Sequence, residues 1–346
     1  MMMHCARVRD HGDADQLLLE QTPVPEPASG EVRVRLMASA LNHLDLWVRK
    51  GVAGHRFPLP LIPGCDGAGI VEACGDGVAP RWQGREVVLI PGICCGECRR
   101  CLAGDDMLCP DYGILGETRD GTCAETIVVP ECQLLEKPDA VSWQQAAALP
   151  LSSLTAYSML VKAQLNPGET LLVIAAGSGV GTMAIQLGLL MGARVLATGS
   201  TGEKRSRALD LGAEHAVDPS DPQWARQVKE LTAGEGADVV FENVGEATFE
   251  NSLLALAKGG RLVTCGATTG SQVTVELKRL FFKNQQIIGS TMGRREDLTR
   301  LLSLQQQGKI HAVIDSEYPL QELHAAHQRM ESRNSFGKIV ITPWQD

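Results

Sequence analysis

The chain has 346 residues, 44% of them apolar, 21% charged and 4% aromatic, with a formal net charge of −9. That length favours about two domains, each with its own core. The acidic balance and scarce aromatics exclude nucleic acid and an anionic membrane surface as main partners. No apolar run approaches the ~18 residues of a membrane-spanning helix, and the opening MMMHCARVRDHGDAD has no hydrophobic signal core. Eleven cysteines without an export signal point to a reducing cytoplasm, where clustered thiols bind metal more readily than they pair.

Residues 1–150 are rich in Gly, Pro and short β-like runs. EVRVRLMASALN (31–42) alternates as a strand should, and GREVVLIPG (84–92) leads into PGICCGECRRCLAGDDMLCP. That segment reads Cys95-x-x-Cys98-x-x-Cys101, with Cys109 following after seven more residues. Four thiolates at such spacing close a tetrahedral zinc site with Zn–S near ~2.3 Å and leave no position open for substrate, which makes the expected zinc structural. Cys94 is a bystander. GTCAETIVVP (121–130) is a further strand, and WQQAAALPLSSLTAYSMLVKAQL (143–165) is helical.

From Thr170 onward strand and helix alternate. TLLVIAA (170–176), ARVLAT (193–198), HAVD, ADVVFENVG and GRLVTCG are the strands, and QQIIGSTMG (285–293) supplies the last one. Helices are expected over 179–193, 202–213, DPQWARQVKELTAG and a stretch reaching Lys258. Helical connections between strands predict a parallel, doubly wound sheet. The remainder, through ELHAAHQRMESRNSFGKIVITP, reads as a helix and a closing strand, with no internal repeat.

Ala176, Gly177, Ser178, Gly179, Val180 and Gly181 join the first of these strands to its helix. Small residues there let the backbone approach a pyrophosphate, which the N–H groups at the helix start then hold. An NAD site usually places an acid at the end of the second strand. This chain instead has Ser200, Thr201, Lys204 and Arg205, hydroxyls and cations suited to a 2′-phosphate, so NADP is expected with NAD as the alternative.

These motifs, with LPLIPGCDGAGIVEACGDGV, AAALPLSSLTAYSML and the terminal FGKIVI, resemble in order and nearly end to end the medium-chain dehydrogenase/reductase superfamily of zinc alcohol dehydrogenases and NADPH:quinone oxidoreductases. The resemblance implies an α/β fold: a GroES-like, β-rich catalytic domain with an inserted Rossmann doubly wound parallel sheet. The expected divisions are 1–152 with a zinc lobe at 92–110, then 153–290, then a C-terminal return over 291–346. It also implies a substrate cleft at the domain junction, Asn243 among the cofactor residues, and a homodimer or homotetramer paired near Ile287–Ser290.

The zinc alcohol dehydrogenases hold a second, open zinc in Cys-His-x-Asp-like and Gly-His-Glu segments. Here the matching segments read Asn42-His43-Leu44-Asp45 and Gly64-Cys65-Asp66, and the third ligand position falls in Leu151-Ser152-Ser153-Leu154. The usual catalytic zinc site is therefore absent; an improvised one from His43, Cys65 and Asp66 is the alternative. The resemblance then points to the quinone-reductase branch, whose Asn-x-x-Asp segment matches Asn42 and Asp45 and whose Gly-Ser-Asp-like segment matches Asp66. Asn42 is expected to donate to a substrate oxygen or the nicotinamide ribose, Asp45 to bond the loop backbone, and Asp66 to orient Asn42 or His43. For His43 two readings stand, proton donor or ordinary loop histidine. Trp47, Phe57, Leu154 and Met292 suggest an apolar cleft for a small-molecule substrate, and His55 lies in a loop bordering it.

The leading expectation is a cytoplasmic NADPH-dependent reductase of quinones or α,β-unsaturated carbonyls with a structural zinc. Its rivals are an alcohol dehydrogenase with an atypical second metal, and a non-catalytic NADPH-binding or thiol redox-sensing protein.

Overall fold

In the computed structural model, which describes residues 1–345, the alternating run Glu31–Ala40 is the hub of a seven-stranded sheet. It pairs antiparallel with Asp66–Cys74, with Thr126–Pro130 and, from the far end of the chain, with Lys338–Thr342. Its period-two pattern sends Val32, Val34 and Leu36 into one core with Val71, Val87 and Ile127. A hairpin of Met2–Val8 with Leu17–Pro23 packs Cys5 and Val8 into a second core with Leu41, Leu323 and Ile341. These elements belong to one compact unit, Met1–Leu151 together with the chain from Arg294 onward. This is the GroES-like unit with its C-terminal return.

The second unit, Ser152–Gly293, is the Rossmann unit. Its six parallel strands lie in the order His215–Val217, Arg194–Thr198, Thr170–Val173, Ala237–Glu242, Leu256–Thr264, Gln286–Gly289. The order reverses between Thr170–Val173 and Ala237–Glu242, the switch point at which such sheets bind ligands.

Several boundaries differ from expectation. The helix over 143–165 is two, Trp143–Ala148 and Pro150–Lys162, because proline cannot continue a helix but opens one well. The helix expected to reach Lys258 is Phe249–Ala255; Leu256 pairs with Ala237, so Lys258 lies in a strand. The second unit keeps residues 291–293, where a Cβ on Gly293 would lie 2.7 Å from the Leu154 carbonyl oxygen. The C-terminal return also contains a helix, Arg295–Gln306, which buries Leu298, Leu301, Leu302 and Gln305, and a strand, Ile314–Pro319, parallel to Lys338–Thr342. Among the described residues no helix is long and apolar enough to cross a membrane.

Candidate functional site

Three strand ends converge on Ala40. It pairs with Asp66 on one side and Val340 on the other, and the Leu41 N–H donates to the Ile339 carbonyl at 2.9 Å. This register sets Asn42, Asp66 and Lys338 side by side, all buried. The Lys338 ammonium donates to Asn42 Oδ1 at 2.6 Å and to Asp66 Oδ2 at 2.8 Å. With Oδ1 facing a cation, Asn42 turns Nδ2 the other way, donating to Asp66 Oδ2 at 2.8 Å and Cys65 Sγ at 3.1 Å. Asp66 Oδ1 accepts the Leu151 N–H at 2.9 Å. Asp66 is thus a fully buried carboxylate paired with an ammonium and two further N–H donors, the condition under which a charge survives out of water. Burial, with Asp66 and Asp45 nearby, pushes the Cys65 thiol well up, so the sulfur is a neutral S–H. The amide that sequence reasoning directed at substrate is spent on Asp66 and Cys65, because Lys338 fixes which way it faces.

Asp45 closes the loop behind this cluster. Its Oδ2 accepts the Asn42 N–H at 2.7 Å, completing a capping box on the helix His43–Lys50, and its Oδ1 accepts the Gly64 N–H at 2.9 Å. Burial raises the Asp45 carboxyl to about 6 against the pull of those N–H groups. His43 is half-buried, edge-on to the Trp47 ring at 5.2 Å between centroids. Burial, with Arg333 and Lys50 adding repulsion, lowers its imidazole to about 4, so it is neutral near pH 7. Trp47 and Phe57 share an apolar cluster with Val48 and Leu61, whereas Leu154 and Met292 are buried in the second unit.

Among the described residues, the one group of three or more His, Cys, Asp or Glu donors that converges is Cys95, Cys98, Cys101 and Cys109, with all four sulfurs within 4.8 Å of one another. Cys98–Cys101 and Cys109–Cys95 are 3.5 Å apart and Cys95–Cys101 3.9 Å. The edge of a tetrahedron with Zn–S of ~2.3 Å is about 3.8 Å, so the four sulfurs fit zinc. Backbone N–H groups of Cys98 and Cys101 point at the sulfurs of Cys95 and Cys98, at 3.3 and 3.5 Å. Such donors, that of Glu97 first, lower the Cys95 thiol to about 7. Gly92–Ile93 and Gly113–Ile114 form a ribbon at the base of the lobe. Between the third and fourth cysteines, Asp105 pairs with Arg294 at 2.7 Å, and Asp106 Oδ1 accepts the Arg295 N–H at 3.1 Å at the start of the helix Arg295–Gln306.

In the second unit Ser178 caps the helix Gly179–Leu190, its Oγ accepting the Gly181 N–H at 2.9 Å and donating to the Ala175 carbonyl at 3.0 Å. Asn243, across the switch point, donates to the same Oγ at 3.0 Å. Ala175 adopts φ of +56° and is held by Thr198 Oγ1 at 2.9 Å. A Cβ on Gly181 would lie 2.4 Å from the Ala175 carbonyl oxygen, so only glycine lets the helix start this close to the strand. The turn Ala176–Gly181 thus lays a small-residue backbone against the start of a helix, a cradle that fits a pyrophosphate, with the Gly181 N–H already held by Ser178. Thr201 caps the helix Gly202–Asp210, accepting the Lys204 N–H at 3.2 Å. Arg205 Nη1 is bound inward, to the Gly199 carbonyl at 2.8 Å and Asp218 Oδ2 at 2.7 Å.

Both halves of this arrangement match known families. Residues 28–139 match the alcohol dehydrogenase GroES-like domain and residues 179–307 the zinc-binding dehydrogenase domain. A zinc-type alcohol dehydrogenase-like protein of Schizosaccharomyces pombe is 33% identical over 94% of this chain and 95% of its own. The chain belongs to the medium-chain dehydrogenase/reductase superfamily. It is a nicotinamide-dependent, zinc-binding oxidoreductase of that superfamily. A crotonyl-CoA carboxylase/reductase of Cereibacter sphaeroides is 33% identical over 92% of this chain and 82% of its own. A crystal structure of an NAD-dependent alcohol dehydrogenase superposes with a TM-score of 0.95 at 45% identity, covering 98% of this chain and 99% of the other.

Sequence reasoning missed three residues of this superfamily member. Lys338 was visible as the one charge opening the apolar run KIVI, and a buried strand carries a cation only where an anion meets it. Asp218 and Asp106 gave no such signal, since each lies in a polar stretch typical of loops.

Proposed function

We propose that the protein is an NADPH-dependent reductase of α,β-unsaturated carbonyls or quinones, with one structural zinc held by Cys95, Cys98, Cys101 and Cys109. The observation that carries this reading is the Lys338–Asp66–Asn42 cluster. It fills with paired charge the segments that, in the zinc alcohol dehydrogenases this chain resembles, hold the catalytic metal. A bound reduced nicotinamide supplies hydride, and a conjugated acceptor takes the electron pair without a Lewis acid, provided it is held close. The chain's own residues do the holding: Lys338, Asn42 and Asp66 fix the site floor, Asp45 ties the Asn42 and Gly64 turns together, and His43 presents a neutral ring. Ala176–Gly181 and Asn243 cradle the pyrophosphate. Ser200, Thr201 and Lys204 receive the 2′-phosphate, while Arg205 shapes their loop through the Gly199 carbonyl. A relative named for crotonyl-CoA, an unsaturated thioester, supports the acceptor class.

A second reading, an NAD-dependent alcohol dehydrogenase, is favoured by the 45% identical structural neighbour. Steady-state assays with each cofactor against cyclohexenone, a quinone and a panel of alcohols, with zinc measured per subunit, decide between them. The expected result is about one zinc and a kcat/KM for NADPH at least ~10-fold above that for NADH, a difference of ~1.4 kcal/mol. Faster alcohol oxidation with about two zincs would instead establish the alcohol dehydrogenase.

We further infer a homodimer or homotetramer working in the cytoplasm. The sheet ends in the edge strand Gln286–Gly289, paired on one side with Leu256–Thr264 and with Ile287 exposed, and the nearby chain exposes Leu277, Phe281 and Phe282. Sedimentation at the mass of one subunit would remove this reading.

A further inference from the structure

Reduction of a conjugated carbonyl needs a proton as well as a hydride, and the groups already described are poor sources. Asp66 is locked to Lys338, Cys65 is a buried thiol, His43 is depressed to about 4, and Leu44 carries no proton. Two further His–carboxylate pairs lie on the same unit, His4 with Glu125 on the first hairpin and His55 with Glu117. His55 Nε2 lies 3.6 Å from Glu117 Oε1, with the imidazole 46% exposed and the carboxylate 17%. No hydrogen bond within the protein reaches His55 Nδ1 among the described residues.

The fold brings this pair to the site from two directions. The His55 ring lies tilted against Phe57, 4.5 Å between centroids, and Phe57 packs with Leu44, Trp47 and Val48 of the helix that begins after Asn42. Glu117 follows Gly116, whose backbone is pressed onto Gly64, since a Cβ on Gly116 would lie 2.4 Å from the Gly64 oxygen. Gly64 directly precedes Cys65 and Asp66. Tyr112 is within electrostatic reach of both Glu117 and Cys65. His11 also stands beside this pair, its ring meeting Phe57 at 5.6 Å.

We propose that His55 and Glu117 form the proton-delivery pair of this reductase, with His55 as the catalytic acid toward a conjugated carbonyl substrate. This rests on the reductase reading above. Hydride addition forms a C–H bond at the β-carbon and moves the conjugated electron pair onto oxygen as an enolate. His55 gives its Nδ1 proton to the α-carbon, the N–H bond breaking as the second C–H bond forms. Glu117 faces Nε2 and stabilises the imidazolium beforehand, a role suited to a carboxylate whose only cationic partner among the described residues is that ring. Solvent reprotonates the imidazole, so each turnover consumes one reduced cofactor and one proton.

The test measures kcat for cyclohexenone with NADPH across pH in wild type, His55→Ala and Glu117→Gln, with NADPH affinity read separately by fluorescence. His55→Ala, on an exposed loop, is expected to lower kcat by ~100-fold with NADPH affinity unchanged, and added free imidazole restores part of the rate. Wild-type activity carries an alkaline limb, as expected when a proton donor is lost; His55→Ala lacks that limb, and Glu117→Gln alters it because the ring loses its carboxylate partner. A His55→Ala enzyme within about two-fold of wild type, with the same limb, reduces the pair to a surface contact and overturns the inference. A wild type that reduces no conjugated carbonyl overturns the reading beneath it, and the inference with it.

Discussion

Lys338→Met is expected to destabilise the protein by about 3–5 kcal/mol, because it leaves the Asp66 carboxylate buried without its cation. Asn42 Oδ1 loses its ammonium partner at the same time. For a chain of this size the loss corresponds to a fall of roughly 5 °C in Tm, read by calorimetry. The double variant Lys338→Met with Asp66→Asn removes both charges together and is expected to recover part of the loss, since replacing a buried pair costs far less than orphaning one member. A single variant within about 1 kcal/mol of wild type, or a double variant no better than the single, would show that the pair does not hold the site floor.

This cluster also shows where the sequence is legible and where it is not. Asn42, Asp45 and Asp66 stood out locally, because each interrupts an apolar or glycine-rich segment at a position with a chemical precedent. Their partner lies 272 residues away from Asp66, and only strand register, with Ala40 between Asp66 and Val340, brings it there. Register between distant strands is set by the packing of the whole sheet and cannot be read from spacing. Arg205 shows the same limit in reverse. It was read as a phosphate ligand from its neighbours Ser200 and Lys204, but Asp218, on the adjoining strand's exit, claims its guanidinium. By contrast, the Rossmann strands and the four lobe cysteines were legible at once, because period, glycine placement and short ligand spacing are local properties of the chain.

Stripping metal from the cysteine lobe is expected to act well beyond the lobe. Without zinc, four sulfurs within 4.8 Å of one another must be kept together by weak N–H···S contacts, and any ionised pair repels. Asp105 and Asp106 sit between Cys101 and Cys109 and depend on the same fold. Through them the lobe supplies the Arg294 ion pair and a side-chain carboxylate bonded to the first N–H of the helix Arg295–Gln306, while the Arg295 guanidinium bonds the Cys132 carbonyl. Losing an N-terminal cap costs about 1 kcal/mol. Chelation is therefore expected to speed amide exchange several-fold at residues 295–298, as well as within 95–109. Asp106→Asn separates the two effects: zinc content should stay at about one per subunit while the helix start loosens as in the chelated enzyme. Unchanged exchange at 295–298 after the lobe has lost its zinc would break the link, leaving the metal a purely local clasp. If the link holds, the metal steadies the segment on which the chain re-enters its first unit, which gives zinc in this lobe a role in the fold apart from any role in the chemistry.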